Sequence, residues 1–383
     1  MAIYLMSFAV SLLLIAFTEK RRKAYFIFFS IIALLIPCLV AALRAECVGT
    51  DILVYVKPMT QNAIGSNNFS HYWNSSWFSV WRDKFVYEHE IGFATLVYVV
   101  AKLTGNMGAV LFSIQAVTIV PIFVALAMNR KKAPVWLGML MFYLMYFNST
   151  LNMMRQWMAM GLLLLSFQLL LNKKYWLTAI FTVVAVLFHY SAVIILPVYF
   201  IWWFLQLFRK GTLVQGDIKV SSRMIIIIAV GLFGVVALMN VDLMLKLMIR
   251  LGFGRFSNYL SGNDLSILLG QVVLRIPVLG ITAVSWKRFS KSTPHAGFFL
   301  TMMILDLLAS QLSSVATYAF RISFYFAMFS LLAVPQLYAC QKTPFEKKIV
   351  ALGLSAFFLV YWYYTYCYVG AHETIPYVFE FLY

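Results

Sequence analysis

Apolar runs of roughly 14 to 22 residues, divided by short polar breaks, recur along nearly the whole chain. A helix needs about 20 mostly apolar residues to cross the hydrocarbon core of a bilayer. The runs predict helices near 1–17, 24–43, 107–128, 134–150, 155–172, 175–188, 191–208, 224–240, 266–285, 296–315, 319–340 and 348–367. Many contain Val, Ile, Phe and Tyr, which favour strands in water. In lipid every backbone polar group must be satisfied within its own segment, so hydropathy overrides that preference. Met1 to Phe17 has no basic leader and no small-residue cleavage site after it, and is expected to remain as a helix. Ile91 to Leu103 is apolar but too short for a crossing, and is expected to be a re-entrant or interfacial helix. The pattern predicts an all-α polytopic integral membrane protein with about 12 transmembrane helices, forming a single transmembrane domain over residues 1–383.

Composition agrees: 63% of the 383 residues are hydrophobic and 11% charged, against roughly 25% charged in a soluble domain. The net charge of +17 would point to nucleic acid in a soluble protein, but in a membrane protein the distribution of Lys and Arg among loops matters more. Six clusters lie between apolar runs: Lys20 to Lys23; Arg130, Lys131 and Lys132; Lys173 and Lys174; Arg209, Lys210, Lys219 and Arg223; Lys287, Arg288 and Lys291; Lys342, Lys347 and Lys348. Basic loops stay cytoplasmic, and this assignment leaves the other loops and both termini outside. Counting Ile91 to Leu103 as a span would reverse the side of Arg130 to Lys132, a second reason to keep it within an outer loop. The four cysteines form neither a disulfide framework nor a metal-ligand spacing. No Walker A, dinucleotide fingerprint, H-E-x-x-H or G-x-S-x-G sequence occurs, which disfavours an ATP-driven pump, a zinc protease and an α/β-hydrolase.

On the outer face the chemistry is unevenly spread. The largest external element, residues 44–106, holds Asp51, His71, Glu88, His89 and Glu90 among many aromatics, and a second external loop covers 240–265. Trp and Tyr there suit two roles, the headgroup belt of any membrane protein or a stacking surface for sugars. Arg44 ends the second helix, Arg155 and Gln156 open the fifth, and Arg321 begins the eleventh with Tyr325 one turn on. Several arginines at a membrane rim suit a diphosphate, because the guanidinium is planar, forked and always charged. They also suit snorkelling to interfacial phosphates. His189 sits in a tight external reversal, where it would relay a proton or merely cap helices. Asp51 and Glu90 are candidate general bases if they reach a substrate hydroxyl. Asp306 falls near the middle of a predicted span, where a charge needs a partner or a cavity; it is expected to pair with an arginine or to stay protonated, in a structural role.

The order Arg44, Val48-Gly49-Thr50-Asp51, Tyr55, then Glu90-Ile91-Gly92-Phe93, then Met154-Arg155-Gln156, then Leu187-Phe188-His189-Tyr190-Ser191, then Phe320-Arg321 and Tyr325 resembles the EpsG family of bacterial surface-polysaccharide proteins, a branch of the Wzy-type polymerases. The resemblance implies a GT-C-like, multi-pass glycosyltransferase of the inner (cytoplasmic) membrane, acting on its periplasmic or outer face. Its implied substrate is a polyprenyl-diphosphate-linked oligosaccharide, polymerised into O-antigen, capsule or exopolysaccharide. No metal or other cofactor and no nucleic acid is implied; membrane lipid, a chain-length regulator and a flippase of the same pathway are the implied partners. On that basis Arg155, Gln156, Arg321, Arg44, Tyr55 and Tyr325 are candidates for binding diphosphate or sugar, and Asp51, Glu90 and His189 for catalysis. A flippase or transporter of the same lipid-linked glycan, or a polysaccharide ligase or acyltransferase, is the alternative.

Overall fold

In a computed structural model of the chain, the structure describes residues 1–79, 82–207, 212–215, 218–221, 267–314 and 320–382. The expected helix at 224–240 and the expected outer loop at 240–265 lie outside the described residues. The rest is almost entirely helical, and most helices start and stop within a few residues of the apolar runs. Among the described residues six helices are long and apolar enough to cross a membrane, and a pair bent by 40°, Phe320–Ala327 with Ser330–Ala339, makes a seventh if taken as one span. Shorter apolar helices occupy Ala2–Thr18, Ile91–Thr104 and Tyr175–Phe188. Several runs that read as unbroken are divided: Val135–Met141 passes through a π turn at Phe142–Tyr146 into Phe147–Thr150, and the run at 266–285 holds two helices, Leu269–Val273 and Ile276–Val284. Apolar composition sets how much chain lipid will accept; the backbone breaks follow packing and side-chain hydrogen bonds, which hydropathy does not encode.

The chain groups into two compact units, Met1–Val193 with Ser355–Tyr383, and Ile194–Leu354. Neither boundary has a linker composition.

In the first unit, α1 (Ala2–Thr18) and α2 (Lys23–Ala42) pack against each other. Then follow α3 (Lys57–Gly65), α4 (Phe69–Trp73), and a hairpin of β1 (Ser76–Ser79) and β2 (Arg82–Phe85) in antiparallel register, Ser76 opposite Phe85 and Ser79 opposite Arg82. The hairpin adds strand structure to the segment expected as an outer loop, which shows no strand signal in sequence. Next are α5 (Ile91–Thr104) and α6 (Met107–Ala127), the latter capped where Asn106 Oδ1 accepts from Ala109 N at 3.1 Å. At 14 residues α5 is on the order of 21 Å long, short of the ~30 Å core, in keeping with an interfacial or re-entrant role. α7 (Val135–Met141) and α8 (Phe147–Thr150) lead into α9 (Met154–Leu171), the most deeply buried of the long helices, which packs on α6 and on α10 (Tyr175–Phe188). Exposed apolar side chains such as Met6, Leu13, Phe17, Phe28 and Ile31 line α1 and α2, as expected of surfaces that meet lipid rather than water.

One end of this unit is tied together by charge. Glu19, just past α1, accepts from Val135 N (2.9 Å) and Trp136 N (3.5 Å) at the start of α7, where an anion suits the helix dipole. Arg130 reaches the Arg21 carbonyl at 3.4 Å, so two of the basic loops share one end. At the other end the C-terminal segment lies along the chain after α2: Ala45 N donates to Val378 O, Gly49 N to Glu373 O and Glu380 N to Leu43 O.

The second unit holds α11 (Ile195–Leu207), a hairpin of β3 (Thr212–Gln215) and β4 (Ile218–Ser221), and further helices at Leu269–Val273, Ile276–Val284, Trp286–Ser292, Ala296–Ser310, Phe320–Ala327 and Ser330–Ala339; the helix Pro344–Trp362 begins in it. Asp306 pairs with Arg275 there (2.9 Å), the arginine expected for a carboxylate at that depth.

Candidate functional site

Two close backbone contacts assemble the candidate site. Gly92, in the first turn of α5, faces the carbonyl of Leu187 near the end of α10; a Cβ at Gly92 would stand 2.7 Å from that oxygen, closer than real contacts allow. Only glycine lets the two helices meet there, and the meeting sets Glu90 beside His189. At the second contact Gly49 adopts φ +85°, the left-handed region, and a Cβ on it would lie 3.0 Å from Leu151 O. The turn after Gly49 is then held by one side chain: Asn152 Oδ1 accepts from Thr50 N (2.9 Å), Thr50 Oγ1 (2.8 Å) and Asp51 N (3.1 Å). Arg155 follows three residues later. The short sequence motifs are thus halves of two interlocking contacts.

Glu90 is the hub. Its residue is 3% exposed, its Oε2 takes Arg155 Nη1 at 2.5 Å, and its Oε1 takes His189 Nδ1 at 2.7 Å and Tyr190 N at 3.4 Å. Burial raises the pKa of a carboxyl, but the His189 hydrogen bond and the charge of Arg155 outweigh it and hold Glu90 down at about 2. The carboxylate is therefore ionised and only accepts, so the proton on Nδ1 belongs to His189. In a neutral ring that leaves Nε2 as the acceptor, and the side chain is a quarter exposed.

Arg155 lies with its guanidinium 4.8 Å from the Tyr55 ring centroid, a cation–π contact. Tyr55 is set by a π turn at Ile52–Val56 and donates its hydroxyl to Asp51 Oδ2. Burial and the Asp51 charge push the Tyr55 phenol well above its ordinary value, so it stays a donor. Asp51, Tyr55, Arg155, Glu90 and His189 thus form one connected polar cluster at one end of the first unit.

The remaining candidate residues fall elsewhere. Arg44 is buried and donates to Ala41 O (3.2 Å) and Leu151 O (3.1 Å), which places it beneath the Gly49 turn. Gln156 is buried in the first turn of α9. Arg321 is exposed and Tyr325 buried on Phe320–Ala327, in the second unit. Glu88 forms an ion pair with Arg82 through both carboxylate oxygens at 2.8 Å, and that hydrogen bond lowers its pKa.

Sequence reasoning assigns no role to three residues that belong to the cluster's surroundings. Asn152 is a lone polar residue among Leu151, Met153 and Met154, a signal that could have marked it. His89 stacks on Trp77 (5.6 Å between centroids, 13°) and lies 5.5 Å from the Tyr55 ring. Burial, then the nearby Arg155 charge, pull its pKa down to about 3, so it is neutral at ordinary pH. Lys84 on β2 has a lowered pKa through burial and then the charges of Arg82 and Arg155. Nothing local in sequence marks either, because the neighbours come from distant segments. Asn148, which opens an Asn-Ser-Thr sequon, is buried; its Oδ1 accepts from Trp362 Nε1 (2.8 Å) and its Nδ2 donates to Thr374 Oγ1 (2.9 Å), which removes it as a glycan acceptor. Among the described residues no group of three His, Cys, Asp or Glu side chains forms a metal site.

No curated protein and no solved structure matches the chain. The model of the EpsG family matches residues 26–379, nearly the whole length and every motif of the cluster. This multi-pass membrane protein belongs to the EpsG family of Wzy-type polysaccharide polymerases.

Proposed function

We propose that this protein joins polyprenyl-diphosphate-linked oligosaccharide repeat units into a surface polysaccharide on the non-cytoplasmic face of the membrane, with about twelve spans once broken helices are counted as crossings. The observation that carries the reading is the Arg155–Glu90–His189 constellation: one cation and one oriented imidazole, both part-exposed, fixed by a single ionised carboxylate.

The reaction needs two services. An acceptor sugar hydroxyl attacks the anomeric carbon of the growing chain, forming the new C–O bond while the bond to the lipid diphosphate breaks. Negative charge develops on the departing diphosphate, and a preorganised guanidinium in a water-poor site stabilises such charge best. Arg155 fills that role. The hydroxyl proton passes to His189 Nε2, whose tautomer Glu90 sets through Nδ1, the same division of labour as in an acid–imidazole pair of a hydrolase. Glu90 is a positioning residue here: both its oxygens are occupied, and a carboxyl titrating near 2 is a weak base. Asp51 holds the Tyr55 hydroxyl, and the Tyr55 ring supports Arg155.

Purified protein incubated with a lipid-linked repeat unit, with products resolved by gel, tests the reading. A ladder of products is expected, and Arg155→Lys and His189→Asn variants present in the membrane should give none. Unchanged substrate would indicate a transporter, and a single addition a ligase.

A further inference from the structure

α2 and α6 leave a groove between them with a volume of about 810 Å³, within the roughly 300–1,000 Å³ usual for ligand pockets. On α2 its lining recurs every three or four residues from Lys23 to Cys38, and on α6 from Phe112 to Met128. At 1.5 Å per residue it runs on the order of 22 Å along α2, about three-quarters of a ~30 Å hydrocarbon core. The walls are almost wholly apolar, with one exception, the buried hydroxyl of Ser30, which has no hydrogen-bond partner.

One end is different. Lys23, Arg130 and Lys131 surround it, and none of the three is ion-paired to a carboxylate among the described residues. Arg130 is held in place, its guanidinium 4.4 Å from the Phe26 ring centroid and its Nη2 on the Arg21 carbonyl. This mouth is at the opposite end of the helix pair from Glu90, Arg155 and His189: Gly108 in the first turn of α6 faces the Ala42 carbonyl at the end of α2, next to Arg44.

A chain-length apolar groove closed by three cations fits one chemistry, a long acyl chain carrying an anionic phosphate. We propose that it is a specific site for an anionic glycerophospholipid, one acyl chain lying between α2 and α6 and the phosphate on Lys23, Arg130 and Lys131. Free phosphate would leave the groove unused, and a zwitterionic lipid would leave the cations partly uncompensated. The lipid-linked donor would need its diphosphate at the other end. Basic pockets between membrane helices on the cytoplasmic side bind anionic headgroups for the same reason. The inference rests on the membrane reading and is independent of the polymerase assignment.

Native mass spectrometry of the full chain, released from bilayers of phosphatidylglycerol and phosphatidylcholine in equal amounts, tests it. Phosphatidylglycerol should be retained about a hundredfold over phosphatidylcholine. Each cation near an anionic lipid contributes about fivefold, so Lys23→Gln/Arg130→Gln/Lys131→Gln should lower that retention about a hundredfold. Ala116→Phe, which projects into the groove rather than the core, should exclude the lipid with the cations intact. Equal retention of the two lipids, a triple variant that still selects phosphatidylglycerol, displacement by inorganic phosphate, or displacement by an equimolar polyprenyl phosphate would each overturn the proposal.

Discussion

Glu90 and Asp306 are both buried carboxylates paired with an arginine, yet their surroundings give them different work. Asp306 lies within a membrane-spanning helix, and both terminal nitrogens of its partner Arg275 are engaged inside the protein: Nη1 donates to Gln271 O and Oε1, at 3.0 and 2.9 Å, and Nη2 to Asp306 and to Ser323 Oγ, at 2.9 and 3.3 Å. Glu90 lies at a helix start and divides its oxygens between Arg155 and His189, two side chains each a quarter exposed. The first arrangement neutralises charge where lipid forbids it. The second holds charge ready for something that arrives. A buried ion pair alone therefore says little about function; what each partner still faces decides it.

The sharpest test is activity. Arg155→Lys keeps a charge but loses the fork, and His189→Asn removes the base; each should reduce polymer formation by about 10²–10⁴-fold with membrane levels unchanged. Arg275→Lys, by contrast, should leave the ladder within a few-fold of the parent. Equal losses at the two arginines would erase the distinction.

Stability should not separate the two pairs. Asp306→Leu alone strands Arg275 and should cost about 3–5 kcal/mol, whereas Asp306→Leu with Arg275→Met should return to within about 1 kcal/mol of the parent. Thermal unfolding in detergent reads both. For Glu90→Leu with Arg155→Met the same recovery in stability should leave polymer synthesis abolished.

A smaller effect is expected at the joint that builds the cluster. Gly92→Val pushes α5 away from Leu187 and should destabilise by about 1–3 kcal/mol, and activity should fall as Glu90 leaves His189. If the variant keeps full activity, the Gly92 contact does not set the site. Tyr55→Phe removes one hydrogen bond to a charged acceptor, worth about 1.5–3 kcal/mol, while keeping the ring under Arg155; polymer yield should fall less than at Arg155 or His189.

The smallest expected effect is none. Because the Glu90 pKa is lowered to about 2, its stabilising contribution is fully present above its ordinary value of 4.5 and is lost only as pH falls through about 2. The difference in unfolding temperature between the parent and Glu90→Gln should therefore stay constant from neutral pH down to about 4.5 and shrink below it. A gap that closes near neutral pH would mean that Glu90 is not held ionised by its partners.

Particular residues show how much was legible in advance. The helices at Ala2–Thr18, Lys23–Ala42, Met107–Ala127, Met154–Leu171 and Tyr175–Phe188 follow the apolar runs closely, and of the two states open to Asp306, paired with an arginine or protonated, the structure holds the pair with Arg275. Illegible were the β1–β2 hairpin, formed by polar and aromatic residues with no alternation to mark it, and the breaks at Phe142–Tyr146 and before Ile276, which depend on neighbouring turns. The motifs named Asp51, Tyr55, Glu90, Arg155 and His189, but nothing in them said that Glu90 would occupy both its oxygens with the other two. Nor did they separate Arg44, which lies under the Gly49 turn, from Arg155, which lies at the rim.

The sequence by itself determined that this protein lives in a bilayer, because transfer of apolar segments is local and additive, and every helix can be judged alone. It also determined family membership, since an ordered set of short motifs is a property of the chain. Only the tertiary structure decided which charges meet. Arg155 and His189 lie 65 and 99 positions from Glu90, the hub, and an ion pair forms between side chains brought within a few ångströms, whatever their spacing in sequence. That distance was set by two glycines, where a missing Cβ let one backbone touch another.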